Sequence, residues 1–178
     1  MSIISELREI IEAGYQVRLA RPGMEAEFIH GYPLCVRGNL LLLQDVEEFR
    51  PDGYSMVRVC DIEDLRSGNY ERFSERVLRD EGWTPRVPAD IEVGDFQHLF
   101  ETFHRSGEIV IVECESNEDE DFYIGRVTGV TEDHVDIHYF NALAELDPHP
   151  TRVDLHHITR AQFRNRYIGV YDRYVERV

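Results

Sequence analysis

Lysine is absent from this chain of 178 residues, and its 19 arginines face 35 aspartates and glutamates, for a formal net charge of −16. We give the missing lysine no functional weight, but the shortage of positive charge has consequences. A surface of this sign repels phosphate backbones, so nucleic acid is not an expected partner unless arginines segregate to one face. Cysteine is scarce: Cys35, Cys60 and Cys114 are odd in number and lie in no C-x-x-C or zinc-like spacing, which suits reduced thiols in a cytosol. No apolar run approaches the roughly 18 residues of a membrane span, and no basic stretch precedes an apolar one near the N-terminus. Both features predict a cytoplasmic protein without a membrane partner. The phosphate-binding, nucleophile-elbow, dinucleotide and H-E-x-x-H signatures are missing as well. The cysteines Cys60 and Cys114 stand among acidic neighbours, which raise rather than lower a thiol pKa. No residue is therefore assigned as catalytic, and no cofactor is expected.

What is present is a duplicated pattern. Gly31 is followed eight residues later by Asn39 and then by Leu41 and Leu43, as Gly125 is by Asp133 and then by Val135 and Ile137. Further on, Val57 to Ile62 echoes Val153 to Ile158. Each copy opens with a helix pattern. Ile3, Ile4, Leu7, Ile10 and Ile11 fall on one face between a Ser2 cap and Gly14; Phe96, Leu99, Phe100 and Phe103 do so between Asp95 and Gly107. Runs of period two follow each, among them Tyr15 to Leu19, Ala26 to Val36, Tyr123 to Val130 and His134 to Tyr139, and the apolar run Leu40 to Leu43 reads as a buried strand. Pro51-Asp52-Gly53 reads as a turn within a polar connection from Asp45 to Gly53. Tyr70, Phe73, Val77 and Leu78 form a helical stripe expected to pack inward. The domains expected are 1–82, with that trailing helix, and 95–178, with a C-terminal helix, joined by a linker at 83–94.

Charge divides unevenly between the copies. Sixteen acidic and 11 basic residues precede Ala89, net −5, while 19 and 8 follow, net −11. The strongest concentration is the turn Glu113 to Asp121, whose Glu115, Glu118, Asp119, Glu120 and Asp121 are the candidate contacts for a protein partner, a basic one being favoured by charge. The turn lacks the order of a calcium loop.

The glycine and apolar positions of the two copies, with the closing Val59-Cys60-Asp61-Ile62 and Leu155-His156-His157-Ile158, resemble the Sm-like fold, a short helix capping a five-stranded bent barrel. The chain is also similar to uncharacterised bacterial proteins that carry such barrels, a resemblance that implies no activity. The fold expected is mainly β with flanking helices: two tandem Sm-like small β-barrels, each preceded by a short N-terminal helix. Sm-like proteins bind RNA through a polar residue before strand three and an Arg-Gly-Asn type element after strand four. Here Cys60-Asp61 and His156-His157 stand after strand four, and Arg37-Gly38-Asn39 stands before strand three.

His134, Asp136 and His138 alternate along one strand, with Asp154 and His156 on the strand expected to pair with it, and these are metal-ligand residue types. Residues two apart on a strand lie about 6.7 Å apart and residues four apart about 13 Å, so the three cannot meet one ion. One pair with a cross-strand neighbour can. The function expected is a non-enzymatic binding or scaffold protein with a protein partner. The alternatives are an immunity or inhibitor protein against a basic toxin or nuclease, an RNA-binding Sm-like protein if Arg18, Arg21, Arg37 and Arg58 gather on one face, and a metal-dependent hydrolase.

Overall fold

A computed structural model describes residues 2–116 and 121–175. The chain divides into two compact units, 1–89 and 90–178. The first contains α1 (Ile3–Ala13), β1 (Val17–Ala20), β2 (Phe28–Arg37), β3 (Leu40–Glu47), β4 (Arg50–Arg58), a 3-10 turn Val59–Asp61, β5 (Asp64–Arg66) and α2 (Asn69–Asp80). The second repeats the order with α3 (Phe96–Ser106), β6 (Ile109–Cys114), β7 (Asp121–Val130), β8 (His134–Tyr139), β9 (Thr151–Asp154), a 3-10 turn Leu155–His157, β10 (Arg160–Phe163) and α4 (Arg166–Tyr171). Both opening helices end as their sequences direct. Ser2 and Asp95 accept from the backbone N–H groups of Ser5 and His98, and Gly14 and Gly107 close at φ 70° and 69°, the left-handed region glycine occupies without strain.

The duplication holds at the level of pairing. The strand order is β5-β1-β2-β3-β4 in the first unit and β10-β6-β7-β8-β9 in the second, all antiparallel. Gly31 and Gly125 occupy the same place for the same steric reason. A Cβ on Gly31 would lie 2.3 Å from the Gln44 carbonyl oxygen, and one on Gly125 would lie 2.2 Å from that of His138.

Two tandem Sm-like barrels are not what forms. Each five-strand series is an open antiparallel sheet: no hydrogen-bonded pairing among the described residues joins β5 to β4, or β10 to β9. Period-two alternation specifies which face of each strand is buried, but closure depends on how far the strands bend, which alternation does not encode. The coarser expectation stands: the protein is mainly β, with four helices among the described residues.

The core of the first unit places Leu7 of α1 against Val17, Leu19, Ile29, Leu41, Leu43, Val57 and Val59. Burying a side chain of this size contributes roughly 1.5–3 kcal/mol. In the second unit Ile109, Ile111 and Ile124 pack with Phe140, Ile168 and Val175, and Phe103 of α3 lies 5.0 Å from the Phe163 ring. Among the described residues no helix is long and apolar enough to cross a membrane.

Two local expectations are overturned. The connection read over Asp45 to Gly53 is a hairpin: β3 runs on to Glu47, Glu47 pairs with Arg50, and the turn is Glu48-Phe49. Its residues take φ 47° and 63°, which Asn-Gly would adopt more cheaply. Pro51 pairs with Val46, Asp52-Gly53 falls where the register shifts beside Asp45, and Gly53 adopts φ 75° at that bulge. The second reversal is α2. Leu78 is buried against Tyr32 and Val46, with Leu34 and Trp83 packed around them, but the other buried residues of α2 are Glu71 and Ser74. Tyr70 and Phe73 remain 47% and 45% exposed.

Candidate functional site

The rotation of α2 follows from how its first turn is tied. Glu71 Oε2 accepts from the backbone N–H of Gly68 at 2.7 Å, and Oε1 accepts from Arg66 Nη2 at 3.0 Å. Burial opposes the charge on Glu71, but the Gly68 N–H and the Arg66 guanidinium outweigh it and hold the carboxyl below its ordinary range. With Glu71 pinned inward, the helix turns its aromatic residues out. Beneath it lies a polar layer. Gln16 is fully buried and donates its backbone N–H to Glu75 Oε1 at 2.6 Å. Arg18, His30 and Arg66 are cross-strand neighbours in one row over β2, β1 and β5. The Gln16 amide atoms, Arg18 Nε and His30 Nδ1 are buried without a hydrogen-bond partner among the described residues. Burial pushes the His30 imidazole below its ordinary pKa; Glu71 works against this, and Arg18 and Arg66 add to it.

Above this layer the outer face of α2 meets the β3–β4 hairpin. The Phe49 ring lies 5.8 Å from Tyr70 and 5.6 Å from Phe73, the latter edge-on at 90°, and Tyr70 also meets His30 edge-on at 5.8 Å. Arg76 stacks over Phe73 at 5.2 Å, and Arg18 over the exposed Phe28 at 4.5 Å. Arg72, Arg76 and Arg79 are all exposed on α2. The conformation that Glu48 and Phe49 adopt is costly for residues with side chains, and it sets Phe49 against this helix. Sequence reading missed the surface because it assigned the aromatic stripe to the inside. The available signal was Glu71 at the N3 position after Gly68, a capping arrangement that fixes which side of the first turn faces the strands.

The predicted acidic contacts separate. Glu115 is buried, with its carboxylate accepting from Thr159 Oγ1 at 2.6 Å, so it faces inward. Asp121 starts β7 opposite Cys114, and Glu118, Asp119 and Glu120 lie outside the described residues.

The five predicted metal ligands do not meet at one point: His134 lies beside Asp136, Asp154 lies beside His156, and His138 stands apart. His134 Nδ1 lies 3.0 Å from Thr131 Oγ1, and its Nε2 lies 3.9 Å from Asp136. Asp136 accepts from Arg152 Nε at 3.1 Å. His138 Nε2 lies 2.9 Å from the Asp147 carbonyl, and the ring lines a cavity of about 320 Å³ with His104, Arg126, Phe140 and Leu146. Asp154 and His156 converge instead with His157, a residue the sequence reading did not select. One ligand atom from each lies within 4.8 Å of the other two. The cause is the 3-10 turn. Along a strand His156 and His157 would point to opposite faces, but three residues per turn bring Asp154 and His157 onto the same side.

Of the arginines whose clustering would favour RNA, Arg21 is fully buried and Arg58 is bound to Asp61 at 2.7 Å. Comparison of the chain with protein-family models, with curated proteins and with solved structures finds no match. The Sm-like resemblance therefore gains no support from that direction either.

Proposed function

We propose that the protein is a non-enzymatic binding protein that recognises another protein through the outer face of α2 and the Glu48-Phe49 hairpin. The observation that carries this reading is the exposure of Tyr70 and Phe73 beside Phe49, with Arg76 stacked on the cluster. Tyrosine, other aromatic residues and arginine are the residue types enriched where interface energy concentrates. The fitting partner presents an apolar side chain to the three rings and carboxylates to Arg72 and Arg76. The net charge of −16 supports a second reading, a basic partner drawn to the acidic remainder of the surface, as an inhibitor of a basic toxin or nuclease would require.

The test is capture from source cells by wild-type protein and by a Tyr70→Ala/Phe73→Ala variant, followed by reconstitution with the purified captured protein. The first reading expects a partner that the variant loses, at least about 2 kcal/mol weaker or roughly thirtyfold in Kd, and that the wild type still retains at high salt, when only the carboxylate contacts to Arg72 and Arg76 are screened. A partner that the variant keeps but that salt removes selects the second reading. Neither reading survives if no captured protein binds the wild type after purification.

A further inference from the structure

The two 3-10 turns stand at equivalent places in the repeat, and their differences show what the second has gained. In the first unit the Asn39 carbonyl accepts from the Val59 N–H at 2.7 Å; in the second the Asp133 carbonyl accepts from the Leu155 N–H at 2.9 Å. This shared anchor aligns Arg58-Val59-Cys60-Asp61 with Asp154-Leu155-His156-His157, and Asn39 with Asp133. The first turn satisfies itself. Arg58 donates twice to Asp61, at 2.7 and 3.0 Å, while Asn39 accepts from the Cys60 N–H at 3.0 Å and donates to its sulfur. In the second turn the arginine is replaced by a carboxylate and its partner by an imidazole. His157 Nδ1 and Asp154 Oδ2 stand 3.9 Å apart, beyond hydrogen-bond reach, and the His156 and His157 ring centroids are 4.0 Å apart. The guanidinium that closes the first turn thus has a carboxylate at its equivalent position in the second.

The geometry points to a divalent transition-metal site of the zinc class formed by Asp154, His156 and His157. Two imidazoles and a carboxylate are a donor set for such an ion, and three protein ligands leave a fourth position for water or for a group on a partner. Zinc–ligand bonds of 2.0–2.1 Å set tetrahedral ligands about 3.3 Å apart. The donor atoms, now within 4.8 Å, close by about 1.5 Å or less through rotation of exposed side chains. The backbone stays still in the process. Val153 and Ile158, on either side of the turn, are buried, and the Ile158 N–H donates to the Leu155 carbonyl. Asp133 occupies the position equivalent to Asn39, whose side chain reaches Cys60 in the first unit. The site rests on the second unit alone and is independent of the α2 surface.

The experiment is titration of chelator-treated, untagged full-length protein with zinc chloride by calorimetry, and with cobalt chloride by visible absorption. The wild type is expected to take one equivalent and to show the absorption of a low-symmetry, four-coordinate cobalt ion. His156→Ala/His157→Ala should weaken zinc binding at least about tenfold, whereas His134→Ala/His138→Ala should leave it unchanged. Circular dichroism on each variant confirms the fold. No saturable binding by the wild type, binding unaffected in the first variant, or binding lost in the second would each overturn the assignment.

Discussion

Gly125→Ala probes the repeat where its geometry is tightest. A Cβ at that position would lie 2.2 Å from the His138 carbonyl oxygen, 2.7 Å from its carbon and 2.9 Å from Ile137 Cγ2. An ordinary carbon–oxygen contact needs about 1 Å more, and the obstacle is backbone, so β7 and β8 must separate by about that distance. A displacement of that size breaks one or two ladder hydrogen bonds, worth roughly 1 kcal/mol each, and adds about 1–3 kcal/mol of packing strain. The expected loss is about 2–5 kcal/mol, read as the shift in the urea midpoint of a transition followed by circular dichroism. Gly31→Ala, with its Cβ 2.3 Å from the Gln44 carbonyl, should cost as much in the first unit. Gly169→Ala is the control: it is helical, nothing lies within 4 Å of its Cβ, and it should stabilise by about 0.5–1 kcal/mol. If Gly125→Ala lies within 0.5 kcal/mol of wild type, the close approach is not what requires glycine, and the steric account of the repeat fails.

Two further perturbations address the polar layer. His30 is held below its ordinary pKa of 6.5, so the unfolded chain takes up its proton first, and stability falls as pH drops through 6.5. His30→Gln should flatten urea stability between pH 7.5 and 5.5, and an unchanged slope would show that His30 is not the group responsible. Glu71 has the opposite chemistry: its carboxyl is depressed from 4.5, so its contribution is full above that pH and is lost as pH falls through the lower folded value. At pH 7, Glu71→Gln should cost roughly 1–2 kcal/mol. It should also speed hydrogen exchange in α2 more than elsewhere, and uniform acceleration would contradict a local role.

Much of the scaffold was legible because its signals are local. Ser2, Gly14, Asp95 and Gly107 bracket helices that form within a residue of where their caps place them. The pairing of Gly31 with Gly125 pointed to a repeat that the structure reproduces strand for strand. Sheet closure was not legible, since alternation at Val135 and Ile137 reports a buried face and not the curvature of the sheet. The hairpin at Glu48-Phe49 was hidden because positive φ falls on residues that avoid it, beside a Pro-Asp-Gly that looks more like a turn. The site residues failed for a related reason. Taking Asp154 and His156 as residues on one face of a strand left His157 out, and taking the stripe of α2 as inward placed Tyr70 and Phe73 inside. In both cases a hydrogen-bonded turn, at Asp154 to His157 and at Gly68 to Glu71, set the side-chain direction against the hydrophobic pattern.

The seat of α2 has a consequence for how binding would register in time. A helix resting on an incompletely hydrogen-bonded amide, imidazole and guanidinium, with Leu78 as its apolar anchor, separates from its sheet for less free energy than one resting on leucines. Its amide protons should therefore exchange by local opening well before the strands beneath release theirs. A partner that covers Tyr70 and Phe73 must close that opening, so occupancy would be recorded as slowed exchange along Asn69–Asp80 even if no backbone atom moves.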